Sequence, residues 1–470
     1  MTRRGSRVAV LGAVLAVLLS VAGLAGQPPR AAVAEPSVTH YGGALDDGGT
    51  WIADVPADWH GVLVLYSHGF GSLSPADAPD AATQQGLLQR GFALVGSSYD
   101  PNGSLWALAS AARDQFASLA AIERIIGHPR LTLALGTSMG GLISAQEAQR
   151  AGRRLDGVVS TCGLMAGGID LNNYQLDGEY ALHRLLTPDQ TIKLVGYADP
   201  GEGAAAAGQL SAVATNAQAT VQGRARVALG TALLNLPTWS PQQAEPPRDA
   251  AGIAKAQYDW LLRTLPFIMP ARYFIELAAG GNASWNVGVD YAALLARSPY
   301  RNVVRTLYRQ AGLDLRADLA NLTRHASVRA SAAAVASLAR TSTVTGHLDV
   351  PELDLHTIYD QLAPVEYEHR YAQQVRAAGD RSLLRQAYVA RRGHCAFAAS
   401  EIVAALQAVA HRATAGHWDQ AASTERLQAA AVALGLGDAP AFADFRPGPL
   451  VSHRVFHPWH DGDRPDLPSW

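Results

Sequence analysis

The stretch Leu131–Ala148, LTLALGTSMGGLISAQEA, carries an apolar run that breaks on a serine set among glycines. Leu131 to Leu135 reads as a short buried strand, and the residues from Leu142 onward have helical spacing. The Gly136-Thr137-Ser138-Met139-Gly140 step between them must therefore reverse the chain within a few residues. Glycine two positions before and two after the serine removes the Cβ atoms that such a turn would drive together. Ser138 is predicted to stand exposed at the tip of a strand, turn and helix. What it does there depends on a base, an acid and an oxyanion site elsewhere in the chain.

Outward from that step, TWIADVP (Thr50 to Pro56) reads as a strand, and GVLVLYSHGFG (Gly61 to Gly71) as a buried strand entering a glycine-rich loop. GFALVGSSYD (Gly91 to Asp100) is the next strand, and Ser104 to Gly127 has the pattern of a helix. A helix closed by Gly152 and a strand in LDGVVSTCG follow the serine. Strands alternating with helices at this spacing predict an α/β fold, a mostly parallel sheet with helices on both faces. From about Gly167 to Thr345 the strand pattern almost disappears and alanine-rich helical segments take over. The βα rhythm then resumes with VPELDLHTIYD (Val350 to Asp360), a helix, SLLRQAYVA, and a last helix from about Ala398 to Ala413. Residues 35–166 and 346–445 are thus expected to form one core. The block 167–345 is expected to be a large helical cap inserted over the carboxyl ends of the strands, where open α/β sheets place their sites. An independent helical domain is the alternative reading.

The 470 residues are 48% hydrophobic and 17% charged, ordinary for a globular chain with a large core, and the net charge of -2 offers no field for nucleic acid. Residues 1–34 combine a positive start, an apolar stretch from Val8 to Gly26 and an Ala32-Val33-Ala34 site, the pattern of an export signal cleaved after Ala34. A retained anchor is the competing reading, because the apolar stretch is about as long as a bilayer requires. The mature chain is expected outside the cytoplasm, with no stable membrane association. The tail 446–470 is rich in Pro, His and Trp; His457, His460 and Asp461 could in principle bind a metal but show no fixed ligand spacing, and a loose chain end packing one or two aromatics against the body is expected. The two cysteines, Cys162 and Cys395, could form a single disulfide in an oxidising compartment.

A serine hydroxyl needs a base within hydrogen-bond reach and a third group that holds that base in the right tautomer. In this architecture the order is serine, acid, histidine. Asp360 ends the strand of LDLHTIYDQLAP, and His394 follows the last strand in VARRGHCAF. Asp354, within the same strand, and Asp380, ahead of the last strand, are the competing acids. The oxyanion donors are expected to be the amide of Met139 and that of Phe70 in the SHGFG loop, with Gly71 close behind; His68 is expected to brace that loop.

The motifs HGFG, GTSMGG, TIYDQLAP and RRGHCAF resemble those of the α/β-hydrolase superfamily, in particular secreted bacterial serine esterases with a large cap. The resemblance covers about Thr39 to Ala413. It implies a Ser-His-Asp hydrolase built on Ser138, His394 and Asp360, without metal or organic cofactor. The His394-Cys395 step is similar to that of the tannase and feruloyl esterase group, where cysteines beside the catalytic serine and histidine are bonded. Thr137 precedes the serine here, so the partner on offer is Cys162 at the end of the next strand, the other state being two free thiols.

The expected activity is hydrolysis of a small-molecule or polymer-derived carboxylic ester. An exopeptidase of the prolyl-aminopeptidase kind would use the same triad and need a cap acid for the substrate ammonium, with Glu276 and Asp290 as candidates. A binding protein that kept the fold without activity is a third class. Trp239, Trp260 and Trp285 could face a ring-bearing acyl group or simply pack the cap.

Overall fold

A computed structural model describes residues 37–454. The export signal and the ligand-like tail residues His457, His460 and Asp461 lie outside the described residues. No helix of the described residues is long and apolar enough to cross a membrane.

The first half of the chain runs β1 (Val38–Ala44), β2 (Thr50–Pro56), β3 (Val62–Ser67), α1 (Ala81–Leu88), β4 (Phe92–Ser97), α2 (Ala111–Ile126), β5 (Leu131–Thr137), α3 (Met139–Ala148) and β6 (Gly157–Thr161). Eight helices without a strand then intervene: α4 (Gly167–Leu186), α5 (Pro200–Ala217), α6 (Val221–Leu233), α7 (Ala250–Ala279), α8 (Tyr291–Arg297), α9 (Arg301–Ala311), α10 (Leu315–His325) and α11 (Ala332–Thr341). The chain closes with β7 (Glu352–Tyr359), α12 (Glu366–Ala378), β8 (Leu384–Arg392), α13 (Ala399–Ala415), α14 (Thr424–Ala433) and β9 (Phe442–Ala443).

The strands form one sheet in the order β1-β2-β4-β3-β5-β6-β7-β8-β9. From β4 to β8 every neighbour is parallel, while β1, β2 and β9 add antiparallel edges. Alternate residues of β3 explain the two-sided burial: Leu63 and Leu65 enter one apolar core, Val62, Val64 and Tyr66 the other. A strand covered on both faces has no polar side to show, which is why these segments read as unbroken apolar runs. The α1, α13 and α14 helices pack on one face, α2, α3 and α12 on the other. The core that holds Leu63 and Leu65 continues without a break into the inserted helices through Leu171, Leu229 and Leu261.

Two local expectations change. The helix expected from Ser104 begins only at Ala111. Ser104 Oγ instead accepts from the Trp106 amide at 2.9 Å and donates to Phe274 O at 2.7 Å, tying this segment as a loop to α7. Residues up to Arg454 do not hang loose either, because polar groups fasten them. His453 Nδ1 lies 2.6 Å from Asp170, the Arg454 guanidinium grips both oxygens of Asp177, and Arg297 donates to Val451 O.

Candidate active site

Ser138 sits between β5 and α3 with φ +60° and ψ -118°, a backbone conformation that L residues rarely occupy. The flanking glycines permit it. A Cβ on Gly136 would collide with the carbonyl of Gly140, and one on Gly140 with the carbonyl of Ser67. The turn is thus packed backbone to backbone against the end of β3. Such strain is held only where the surroundings dictate it, here by the Ser138 amide donating to Thr161 O at 2.9 Å.

The neighbouring strand ends bring in the other two groups. The β7 and β8 strands are parallel and end with Tyr359 opposite Arg392, so Asp360 and the Gly393-His394 loop emerge side by side. Gly393, at φ +105°, turns the chain, and its carbonyl accepts from Thr357 Oγ1 at 2.9 Å. His394 Nδ1 donates to Asp360 Oδ2 at 2.7 Å, and Nε2 lies 2.7 Å from Ser138 Oγ. Asp360 is buried, and its Oδ1 accepts the amides of Leu362 and Ala363 at 2.8 and 2.9 Å. Burial acts to raise this carboxyl, but the His394 and His356 rings and the Ala363 amide outweigh it and hold it below the usual carboxylate range. The competing acids lie elsewhere. Asp354 is buried among Glu352, Glu368 and Gln386 beneath α12, and Asp380 accepts from the Leu348 amide.

The fold is that of the α/β hydrolases. In that fold the loop after β3 supplies an oxyanion donor, and here Gly69 approaches the serine closely, a Cβ on it falling 3.3 Å from Ser138 Cβ. Among the described residues neither the Phe70 nor the Met139 amide donates to a protein group, and Met139 is the first residue of α3. His68 is tied to its own loop: its Nδ1 donates to Gly69 O at 2.8 Å and its ring stacks on Tyr99 at 4.1 Å. Burial pushes its pKa down, which favours the neutral ring. Cys162 and Cys395 are bonded, their Cα atoms 5.3 Å apart, joining the end of β6 to the residue after His394. Their sulfurs and the His394 ring lie within 4.8 Å of one another, but the disulfide consumes both thiolates, so the group has no metal-ligand character.

A cavity of about 290 Å³ opens over Ser138 and His394. Its wall is apolar: Phe70 and Trp106 from core loops, Leu171 from α4, Phe267, Ile268, Ala271 and Ile275 from α7, with Leu164 and Leu362. Gln175 of α4 adds an amide. No acidic side chain lines it among the described residues, which corrects the two cap acids considered for an ammonium group. Glu276 faces away and accepts the Gly196 amide, while Asp290 caps α8. The cap tryptophans are absent from the wall as well. Trp239 sits under Arg392 and beside Tyr359, Trp260 donates to Trp239 O, and Trp285 lies near Arg454. Trp106, Gln175 and the α7 residues carried no local sequence signal beyond one-turn spacing.

No family model matches the chain. The o-phthalyl amidase of Xanthobacter agilis is 29% identical over 408 residues, covering 80% of this chain and 87% of that protein. Among solved structures, feruloyl esterase B from Aspergillus oryzae aligns at 13% identity and TM-score 0.44, covering 80% of each chain. An esterase from Aspergillus oryzae aligns at 14% identity and TM-score 0.41, over 78% of this chain and 77% of that one.

Proposed function

We propose that this chain is a serine hydrolase that cleaves carboxylic esters through an acyl-enzyme on Ser138. The observation that carries the reading is the unbroken hydrogen-bond line from Ser138 Oγ through His394 to Asp360, 2.7 Å at each step. In this mechanism Ser138 Oγ attacks the acyl carbonyl while His394 Nε2 takes its proton. Asp360 holds the ring in the tautomer that leaves Nε2 free and steadies the imidazolium. The amides of Phe70 and Met139 receive the oxyanion. His394 then returns its proton to the leaving alcohol, and a water activated by the same ring releases the acid. Residues 167–345 act as the cap that closes the acyl pocket over the serine. The bonded cysteines fit an oxidising compartment, in line with an exported chain from which residues 1–34 are removed.

The same triad cleaves amides. The likeness to an amidase over four fifths of the chain favours amide turnover as a second reading. The aminopeptidase reading loses support, since among the described residues a free ammonium has no carboxylate to meet in the cavity. The test is hydrolysis of p-nitrophenyl esters of rising acyl size beside the matching p-nitroanilides, with Ser138→Ala as control. Ester turnover lost in the variant supports the proposal, anilide preference moves it to an amidase, and equal rates in both proteins end it.

A further inference from the structure

We infer that Gln175 sets the substrate selectivity of this site, favouring apolar acyl groups that carry one neutral hydrogen-bonding substituent. The inference rests on the reading of Ser138 as the acylated group. Gln175 follows Leu171 by one turn of α4, so both side chains share the face that α4 turns to the cavity. The rest of the wall is aromatic or aliphatic apart from Gly69, the serine elbow and the His394-Cys395 step. Gln175 is 4% exposed, and its Oε1 meets no hydrogen-bond donor among the described residues. Its neighbour Tyr174 lies beside the same carboxamide, but the phenol already donates to Leu362 O at 2.9 Å.

A buried amide oxygen without a partner has lost its bond to water and gained none, and Leu or Met would fill the same volume of an apolar wall without that penalty. The penalty disappears when the carboxamide turns toward the cavity and a ligand group supplies the missing bond. Rotation about the last side-chain torsion exchanges the amide oxygen and nitrogen. A hydroxyl, donor and acceptor at once, satisfies either orientation. A charged substituent fits less well. The nearest cation along α7, Arg272, is spent on both oxygens of Glu179 at 2.9 and 3.1 Å, on Asn172 O and on Ser284. A single neutral hydrogen bond in a dry pocket discriminates by about 10- to 100-fold.

The test compares kcat/KM for p-nitrophenyl benzoate and its 2-, 3- and 4-hydroxy isomers, in the full mature protein and in Gln175→Leu, with Gln175→Met as a second variant should the first fail to fold. The expected result is that one isomer exceeds benzoate by about 10-fold or more and that this ratio falls to about one in the variant. A ratio that survives, or no favoured isomer, overturns the inference. Calorimetric binding of benzamide and the three hydroxybenzamides to the same proteins separates this idea from the reaction. A hydroxyl preference in binding, lost with Gln175, stands even if Ser138→Ala shows the acylation reading to be wrong. Equal binding of all four overturns it.

Discussion

At the scale of single residues, the site divides into groups that act and groups that hold. Asp360 is held by two amides and one ring and has no freedom to leave His394. Glu147 is a holding group with a measurable signature. It is buried in α3 beneath the elbow, where the Ser67 hydroxyl approaches it at 3.4 Å, and burial raises its pKa from 4.5 to about 8. The folded state therefore keeps a proton that the unfolded chain gives up near its ordinary value, and stability falls as pH rises between those two values. Glu147→Gln, which mimics the protonated acid, should flatten this fall. Melting temperatures from pH 5 to pH 8 should converge at the acid end, with the variant higher at the alkaline end. Identical slopes for the two proteins would show that Glu147 is not the group responsible. Ser138, Asp360 and His394 were legible in the sequence because each sits at a strand end, and strand ends leave a local signal. Glu147 was not, since nothing in SAQEAQ says which side of the helix faces Ser67.

Among elements, α7 lays the most side chains against the cavity over Ser138. It runs 30 residues with Pro266 and Pro270 inside it, and lays Phe267, Ala271 and Ile275 at one-turn spacing over the serine. Phe70 meets Phe267 and Phe274 edge-on at 6.0 Å, so the loop after β3 and α7 share an aromatic seam. Ala271 is the small residue of that face. Ala271→Leu should fill part of the cavity and cut kcat/KM for aryl and long-chain esters by about 10-fold or more, while acetate esters lose much less. An acyl-length series on the two proteins checks this; a uniform loss across the series would mean that the substitution disturbs the elbow and not the acyl pocket. The helical character of this segment was readable from its composition. Its facing was not, because a helix apolar on more than one side can turn any of them toward the sheet until packing chooses.

For the molecule as a whole, the Cys162–Cys395 bond spans the entire insertion, 233 residues apart in sequence, and anchors the histidine loop to β6. Replacing both cysteines by alanine should cost about 2–5 kcal/mol of stability and lower kcat well below the folded fraction, since His394 loses its anchor. Thermal melts and assays of the same samples decide it; full specific activity in a destabilised protein would make the bond structural only. The apolar runs, the glycines about Ser138 and the order serine, aspartate, histidine determined the α/β sheet and the three groups at its carboxyl edge, because each depends on residues near in the chain. The cavity wall, the Gln175 amide within it, the exclusion of Glu276 and Asp290 from it and the fastening of His453 and Arg454 were decided by tertiary structure alone. Each joins segments far apart in sequence, and which faces they present is set by the packing of α4 and α7 against the sheet, not by their own pattern.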